Sequence, residues 1–139
     1  MTPDQIRLVQ QSWAKVVPVA DTAADMFYTK LFEMNPSLQG LFVSYTAQEQ
    51  RSKLLAMLGN AVGNLNNVEA IVPAVQALGQ RHAKYGVRDR DYGTVAGALL
   101  WTLEQGLGAA WNNELKDAWV AVYTVLSGAM IDAAKTKAA

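Results

Sequence analysis

The sequence contains one histidine, His82, and no cysteine. A disulfide, a cysteine nucleophile and a zinc site made of thiolates or several imidazoles are therefore excluded within these 139 residues. Ile71, Val75 and Leu78 precede His82 by eleven, seven and four residues, which places all four on one face of a helix. An imidazole among aliphatic side chains needs partners for its ring nitrogens. His82 is either a core histidine that is hydrogen-bonded to the backbone or the ligand of a metal centre that needs only one protein side chain.

Haem iron is a metal centre of that second kind. One ring nitrogen of His82 would bind the iron, and the other N–H would donate to a carbonyl, which fixes the tautomer and the ring orientation. A lone histidine on an apolar face is more often a satisfied core residue, so the helix face alone does not favour the ligand. The choice depends on the rest of the sequence.

Composition and charge narrow the class of protein. Hydrophobic residues make up 51% of the chain and the formal net charge is zero, with no block of like charge. Nucleic-acid binding needs a basic face, so it is disfavoured. No apolar run approaches the roughly 20 residues of a membrane-spanning helix, and the polar N-terminus lacks a signal-peptide pattern. We expect a cytoplasmic protein without a membrane span.

Apolar residues recur at helical spacing along the whole chain, which predicts an all-α fold. We expect about seven helices of unequal length in one domain, packed in a crossed arrangement rather than a regular four-helix bundle. Residues 43–45 are predicted to form a loop. Helix starts and ends are indicated by capping boxes, prolines and glycines: Thr2–Gln5, Pro18, Asn35–Pro36, Thr46–Glu49, Pro73, Gly86 and Asn112–Asn113.

The spacings between several further residues are informative when they are taken together. Tyr28 lies eight residues before Pro36, and Pro36 lies six before Phe42. Further along come the remaining matched segments: Gln50 with Leu54 one turn later, the run Leu78–Val87 around His82, Asp91–Tyr92, Leu99–Gly108 and Ala118–Trp119. In this order they resemble the globin family, specifically the bacterial single-domain globins and the haem domain of flavohaemoglobins. The resemblance covers essentially the whole chain. It implies one globin domain over 1–139, a crossed three-over-three sandwich of helices around haem b (iron protoporphyrin IX).

The resemblance also implies roles for individual residues. His82 would be the proximal iron ligand, with Phe42, Leu54, Leu78 and Val87 as walls of the haem pocket. These four would be apolar in an ordinary core as well, so they discriminate little. Five basic residues lie near the expected pocket rim, and Lys53 and Arg88 are favoured as partners of the haem propionates: Arg51, Lys53, Arg81, Lys84 and Arg88.

Tyr28 and Gln50 match the distal positions of the bacterial group. Both can donate hydrogen bonds, and bound dioxygen acquires partial negative charge, so each donor would contribute about 1–3 kcal/mol in a dry pocket. Without the resemblance, Tyr28 reads as a core tyrosine with a hydrated hydroxyl. Gln50 reads as a surface residue in a first helical turn.

Tyr92 corresponds to a flavohaemoglobin tyrosine that, with a glutamate late in the last helix, bonds around the proximal histidine. The glutamate position falls near Ala134 in this sequence. Asp132 is shorter and does not stand at the matching place. The resemblance therefore stops short of predicting a strong proximal network or peroxidase-like chemistry.

The function predicted first is reversible binding of dioxygen and other diatomic gases at a pentacoordinate haem iron. A nitric oxide dioxygenase is the enzyme alternative. It would need an external reductase, because the globin-like pattern occupies all 139 residues and leaves no reductase domain. A gas sensor acting through a partner, and a haemless helical interaction module, complete the alternatives. The retained set of His82, Phe42, Tyr28 and Gln50 argues against the last. The oligomeric state stays open.

Overall fold

The computed structural model describes residues 1–42 and 46–138, with the backbone alone for residues 42 and 136–138. The predicted loop 43–45 lies outside this range. Within the described residues the chain is helical and without strands, which confirms the all-α prediction. The α-helices are α1 (Pro3–Val16), α2 (Ala20–Met34), α3 (Ala47–Gly63), α4 (Val72–Lys84), α5 (Asp89–Leu107) and α6 (Asn113–Ala138). Short 3-10 segments cover Val17–Val19, Pro36–Phe42, Leu65–Ala70 and Gly108–Ala110. The six α-helices and the segment Pro36–Phe42 correspond to the seven predicted helices.

Local capping residues begin and end these helices. Thr2 and Thr46 each form the capping box that the sequence predicts, with Gln5 and Glu49 as partners. The side-chain oxygen of Asn112 accepts a hydrogen bond of 2.8 Å from the backbone N–H of Leu115 and caps α6. α4 ends just before Gly86, whose φ of 97° is costly for any residue with a Cβ. The chain therefore leaves α4 in a new direction at Gly86.

The helices pack mostly against partners that are distant in sequence. α4 and α1 both lie on α6, while α2 lies on α5. α3 contacts α2 and α1 and leaves one of its faces towards α4. Among the helices of the described ranges, none is long and apolar enough to cross a membrane. Because α4 packs on α6 while α3 packs on α1 and α2, these two helices stay apart and a cavity lies between them.

Trp119 lies at the centre of the core, with 2% of its surface exposed. Its indole N–H donates a 2.9 Å hydrogen bond to the hydroxyl of Ser12, and that hydroxyl donates 3.0 Å to the carbonyl of Val9. The ring of Trp13 lies 6.3 Å from that of Trp119. A buried indole N–H needs such a partner, so Ser12 joins α1 to α6 in the core.

Replacing Ser12 by alanine should therefore lower the free energy of unfolding by more than the removal of an exposed hydroxyl group does. We expect Ser12→Ala to lower the free energy of unfolding by about 1–3 kcal/mol, because the buried N–H of Trp119 loses its acceptor. Urea unfolding followed by far-UV circular dichroism measures the change. The control is Ser52→Ala in α3, where the serine is exposed and the change should stay within about 0.5 kcal/mol. Equal losses in the two variants would contradict this role of the Ser12–Trp119 bond.

Candidate functional site

A cavity of about 530 Å³ lies between α3 and α4 and is bounded at one end by α6. This volume falls within the range of about 300–1,000 Å³ that is typical of small-molecule sites. Its walls are mainly apolar. The lining residues are Tyr28, Leu41, Gln50, Lys53, Leu54, Ala56, Met57, Asn60, Ala61, Ile71, Ala74, Val75, Leu78, Arg81, His82, Tyr85, Val87, Leu126 and Met130.

His82 lines this cavity from the last turn of α4. Its Nδ1 lies 2.8 Å from the backbone carbonyl oxygen of Leu78. Because a carbonyl only accepts, we assign the ring proton to Nδ1, which leaves an unprotonated Nε2 with its lone pair. The predicted helix face is also present, since Ile71, Val75 and Leu78 line the same cavity.

Burial lowers the pKa of His82 below its usual value, and the nearby Arg81 charge acts in the same direction. The hydrogen bond to Leu78 opposes the shift but does not cancel it. The neutral ring is therefore favoured at neutral pH. A neutral imidazole with one unprotonated nitrogen is the form that binds a metal.

Tyr28 and Gln50 reach the cavity from two different elements. Tyr28 lies in α2, and its hydroxyl donates a 3.1 Å hydrogen bond to the backbone carbonyl of Gln50 in the first turn of α3. Its ring packs edge-on against Phe27, with 5.1 Å between the centroids, and lies 6.0 Å from Phe32. Burial raises the pKa of Tyr28 to about 12, so the phenol stays protonated and able to donate.

The other predicted site residues divide into two groups. Leu54, Leu78, Val87 and Lys53 line the cavity, as Tyr28, Gln50 and His82 do. Arg88 is exposed just before α5 and is absent from the lining, and its backbone N–H donates 2.8 Å to the carboxylate of Asp91. The side chain of Phe42 lies outside the described residues.

Tyr92 is also absent from the cavity lining, but it lies behind His82. The two rings are nearly parallel, with an interplanar angle of 25° and 6.4 Å between centroids. The hydroxyl of Tyr123 in α6 donates a 2.6 Å hydrogen bond to the backbone carbonyl of Tyr92. The backbone of Tyr92 is thus tied to α6, and its ring lies beside the imidazole of His82.

Several lining residues were not among the predicted site residues. Leu41, Met57 and Tyr85 line the cavity next to predicted ones, and Leu126 and Met130 reach it from α6. Met57 follows Gln50 and Leu54 at helical spacing, so the periodicity of α3 could have identified it. Nothing in the apolar stripe of α6 separates a pocket wall from the core, because both need the same residue types.

The residues present fit a haem group. The cavity offers apolar walls for a macrocycle and one unprotonated ring nitrogen for the iron. Lys53 and Arg81 are cations in the lining, suited to the two carboxylates of the group. The polar side chains of Tyr28 and Gln50 stand on α2 and α3, apart from the helix that carries His82.

Comparison with known proteins adds a family. The globin family model matches residues 25–130. Neuroglobin of Danio rerio is 26% identical over 137 residues, which cover 88% of this chain and 86% of that protein. Leghemoglobin of Medicago sativa is 28% identical over 139 residues, which cover 93% of this chain and 95% of that protein. Flavohemoprotein of Bordetella parapertussis is 28% identical over 133 residues, which cover 94% of this chain and 33% of that protein, so the chain spans about a third of its length.

Two solved structures share the fold. An engineered carbene transferase, based on a candidate nitric oxide dioxygenase from Rhodothermus marinus, has a TM-score of 0.89 at 22% identity over 99% of this chain and 96% of that one. A hexacoordinated heme protein from an anhydrobiotic tardigrade has a TM-score of 0.81 at 16% identity, over 97% of this chain and 96% of that one. The family match spans well over half of the sequence and includes Tyr28, Gln50 and His82. The chain therefore belongs to the globin family.

Proposed function

We propose that this globin binds haem b through His82 and binds dioxygen reversibly at a pentacoordinate iron. The observation that carries the proposal is the hydrogen bond from His82 Nδ1 to the carbonyl of Leu78, which leaves Nε2 available at the wall of an apolar cavity. The iron, when bound, supplies the centre at which a diatomic gas is held. Lys53 in the cavity lining would pair with a propionate.

Pentacoordination is supported by the lack of a second imidazole in these 139 residues. The sequence has no second histidine to act as a sixth ligand, whereas one of the structural neighbours is a hexacoordinated heme protein. Tyr28 has its pKa raised to about 12, so it remains a neutral phenol and a poor metal ligand. The amide of Gln50 is likewise a weak ligand.

Tyr28 and Gln50 would instead hold the gas by hydrogen bonding. The Tyr28 hydroxyl has one proton, which it donates to the carbonyl of Gln50. Turning that proton to a gas molecule exchanges one bond for another, so the net gain from Tyr28 should be about 0.5–1.5 kcal/mol. A hydrogen bond from the amide N–H of Gln50 to the partially charged gas in an apolar cavity should contribute about 1–3 kcal/mol, because bonds to charged acceptors are stronger than neutral ones.

The first test is haem binding itself. The purified protein reconstituted with hemin should show an intense Soret absorption band with one haem per chain, and His82→Ala should lose or strongly shift it because the iron loses its protein ligand. Gln80→Ala, on the same helix but outside the cavity lining, is the matched control and should keep the wild-type spectrum. A wild-type protein without the band, or an unchanged band in His82→Ala, would contradict the proposal.

The second test is the rate of dioxygen dissociation in stopped flow. Gln50→Leu should accelerate dissociation roughly 5- to 150-fold, and Tyr28→Phe roughly 2- to 13-fold, since 1.4 kcal/mol corresponds to tenfold. Gln48→Leu, an exposed position in the same helical turn and outside the lining, should leave the rate unchanged. Wild-type rates in both Tyr28→Phe and Gln50→Leu would remove the distal assignment.

A second candidate function is the dioxygenation of nitric oxide. It is favoured by the similarity to the flavohemoprotein of Bordetella parapertussis and to the Rhodothermus marinus neighbour. One nitric oxide, one dioxygen and one electron together give one nitrate, so each turnover needs a reductant. The similarity covers a third of the flavohemoprotein, and we propose that a flavin-dependent reductase supplies the electron.

Nitric oxide consumption tests this candidate. With a flavin reductase and reduced nicotinamide dinucleotide present as the electron source, an electrode should record continuous consumption of nitric oxide at many equivalents per haem, with nitrate as product. The matched control omits the reductase, and its consumption should stop after about one equivalent. One equivalent in both reactions would leave reversible gas binding as the function.

A further inference from the structure

α4 is fixed in the fold chiefly by α6. Its main packing partner is α6, followed by the short segment Leu65–Ala70. The residues Val75, Leu78 and His82 of α4 line the cavity, so the main support of this helix comes from α6. The distance between α4 and α6 therefore determines where His82 lies.

Gly79 is the point of closest approach between these two helices. Gly79 is buried. A Cβ built on it would overlap the backbone carbonyl oxygen of Met130. The same Cβ would lie 2.5 Å from the Cα of Met130 and 2.7 Å from its carbonyl carbon. Ordinary contact begins near 3.4 Å. Because backbone atoms block the position, no change of side-chain rotamer can relieve the overlap.

At the other glycines of the described residues, an added Cβ would meet no backbone atom of a neighbouring helix within 4 Å. At Gly97 a Cβ would come within 2.9 Å of the Met34 side-chain methyl group, which can move. At Gly59 the nearest atom is 3.9 Å away, and at Gly128 nothing lies within 4 Å. A backbone-to-backbone contact is thus specific to the crossing of α4 and α6.

The crossing is close to the proposed iron ligand. His82 follows Gly79 by three residues, about 4.5 Å along the helix axis. Met130, which contacts Gly79, also lines the cavity. Inserting a methyl group would push the helices apart by about 1 Å to reach ordinary contact. A rigid α4 would carry most of that displacement to His82.

We propose that Gly79 is a positioning residue, which sets the place of the His82 imidazole in the cavity by allowing α4 to lie directly on the backbone of α6. The inference rests on the proposed haem ligation by His82. Gly79 is absent from the residues that line the cavity. Its effect is on how far the imidazole of His82 reaches into the cavity.

The test is Gly79→Ala in the haem-loaded protein. The iron–imidazole stretching band of the ferrous form, measured by resonance Raman spectroscopy, should shift, and haem transfer to a scavenging apoprotein should accelerate at least tenfold. Gly128→Ala is the matched control, because it adds the same methyl group to α6 in open space. The control should keep the wild-type band and rate.

A second background separates positioning from general damage. In His82→Gly supplemented with free imidazole, the iron ligand is no longer attached to α4. Adding Gly79→Ala there should leave the iron–imidazole band unchanged. A band that is unshifted in the single variant Gly79→Ala, or equally shifted in the His82→Gly background, would overturn the inference. Wild-type protein without haem would instead refute the proposed function.

The close approach can also be measured without any variant. In the diamagnetic carbon monoxide form of the wild-type protein, a nuclear Overhauser cross-peak should join the α-protons of Gly79 and Met130. Its presence would support the inference even if Gly79→Ala failed to fold. Its absence would overturn the inference.

Discussion

The hydrogen bond between His82 Nδ1 and the carbonyl of Leu78 is the interaction on which the rest of the site depends. It lies within one helix, one turn apart, so the regular geometry of α4 is enough to form it. A carbonyl oxygen has two lone pairs and can accept the ring N–H in addition to its helical partner. The bond satisfies one nitrogen of a buried imidazole, orients the ring and leaves Nε2 unprotonated. The packing of α4 on α6 then sets where this imidazole lies beside the cavity.

The helices could be predicted from the sequence because their signals are local. Thr2, Thr46 and Asn112 cap the helices they were expected to cap, and Gly86 follows α4 with the positive φ that only glycine adopts readily. Each signal depends on residues within a few positions of one another. Such patterns survive in the fold because tertiary packing does not oppose them.

The site could be predicted only in part, since its geometry depends on contacts between distant segments. Leu54, Leu78 and Val87 were expected near His82 and line its cavity. Arg88 was favoured as a partner of the haem propionates; its backbone N–H donates to the carboxylate of Asp91 at the start of α5, and it is not among the residues that line the cavity. Leu126 and Met130 look like ordinary core residues in the stripe of α6. The stacking of Tyr92 on His82 depends on how α5 meets α4, which no local pattern encodes.

The central claim is that Nε2 of His82 binds the iron, and the single histidine allows it to be tested directly. Growth on ¹⁵N-histidine labels this one side chain and no other, since the sequence contains a single histidine. Resonance Raman spectra of the ferrous, gas-free protein should show an iron–nitrogen stretching band that moves to lower frequency in the labelled sample. A band at the same frequency in labelled and unlabelled protein would contradict ligation by His82.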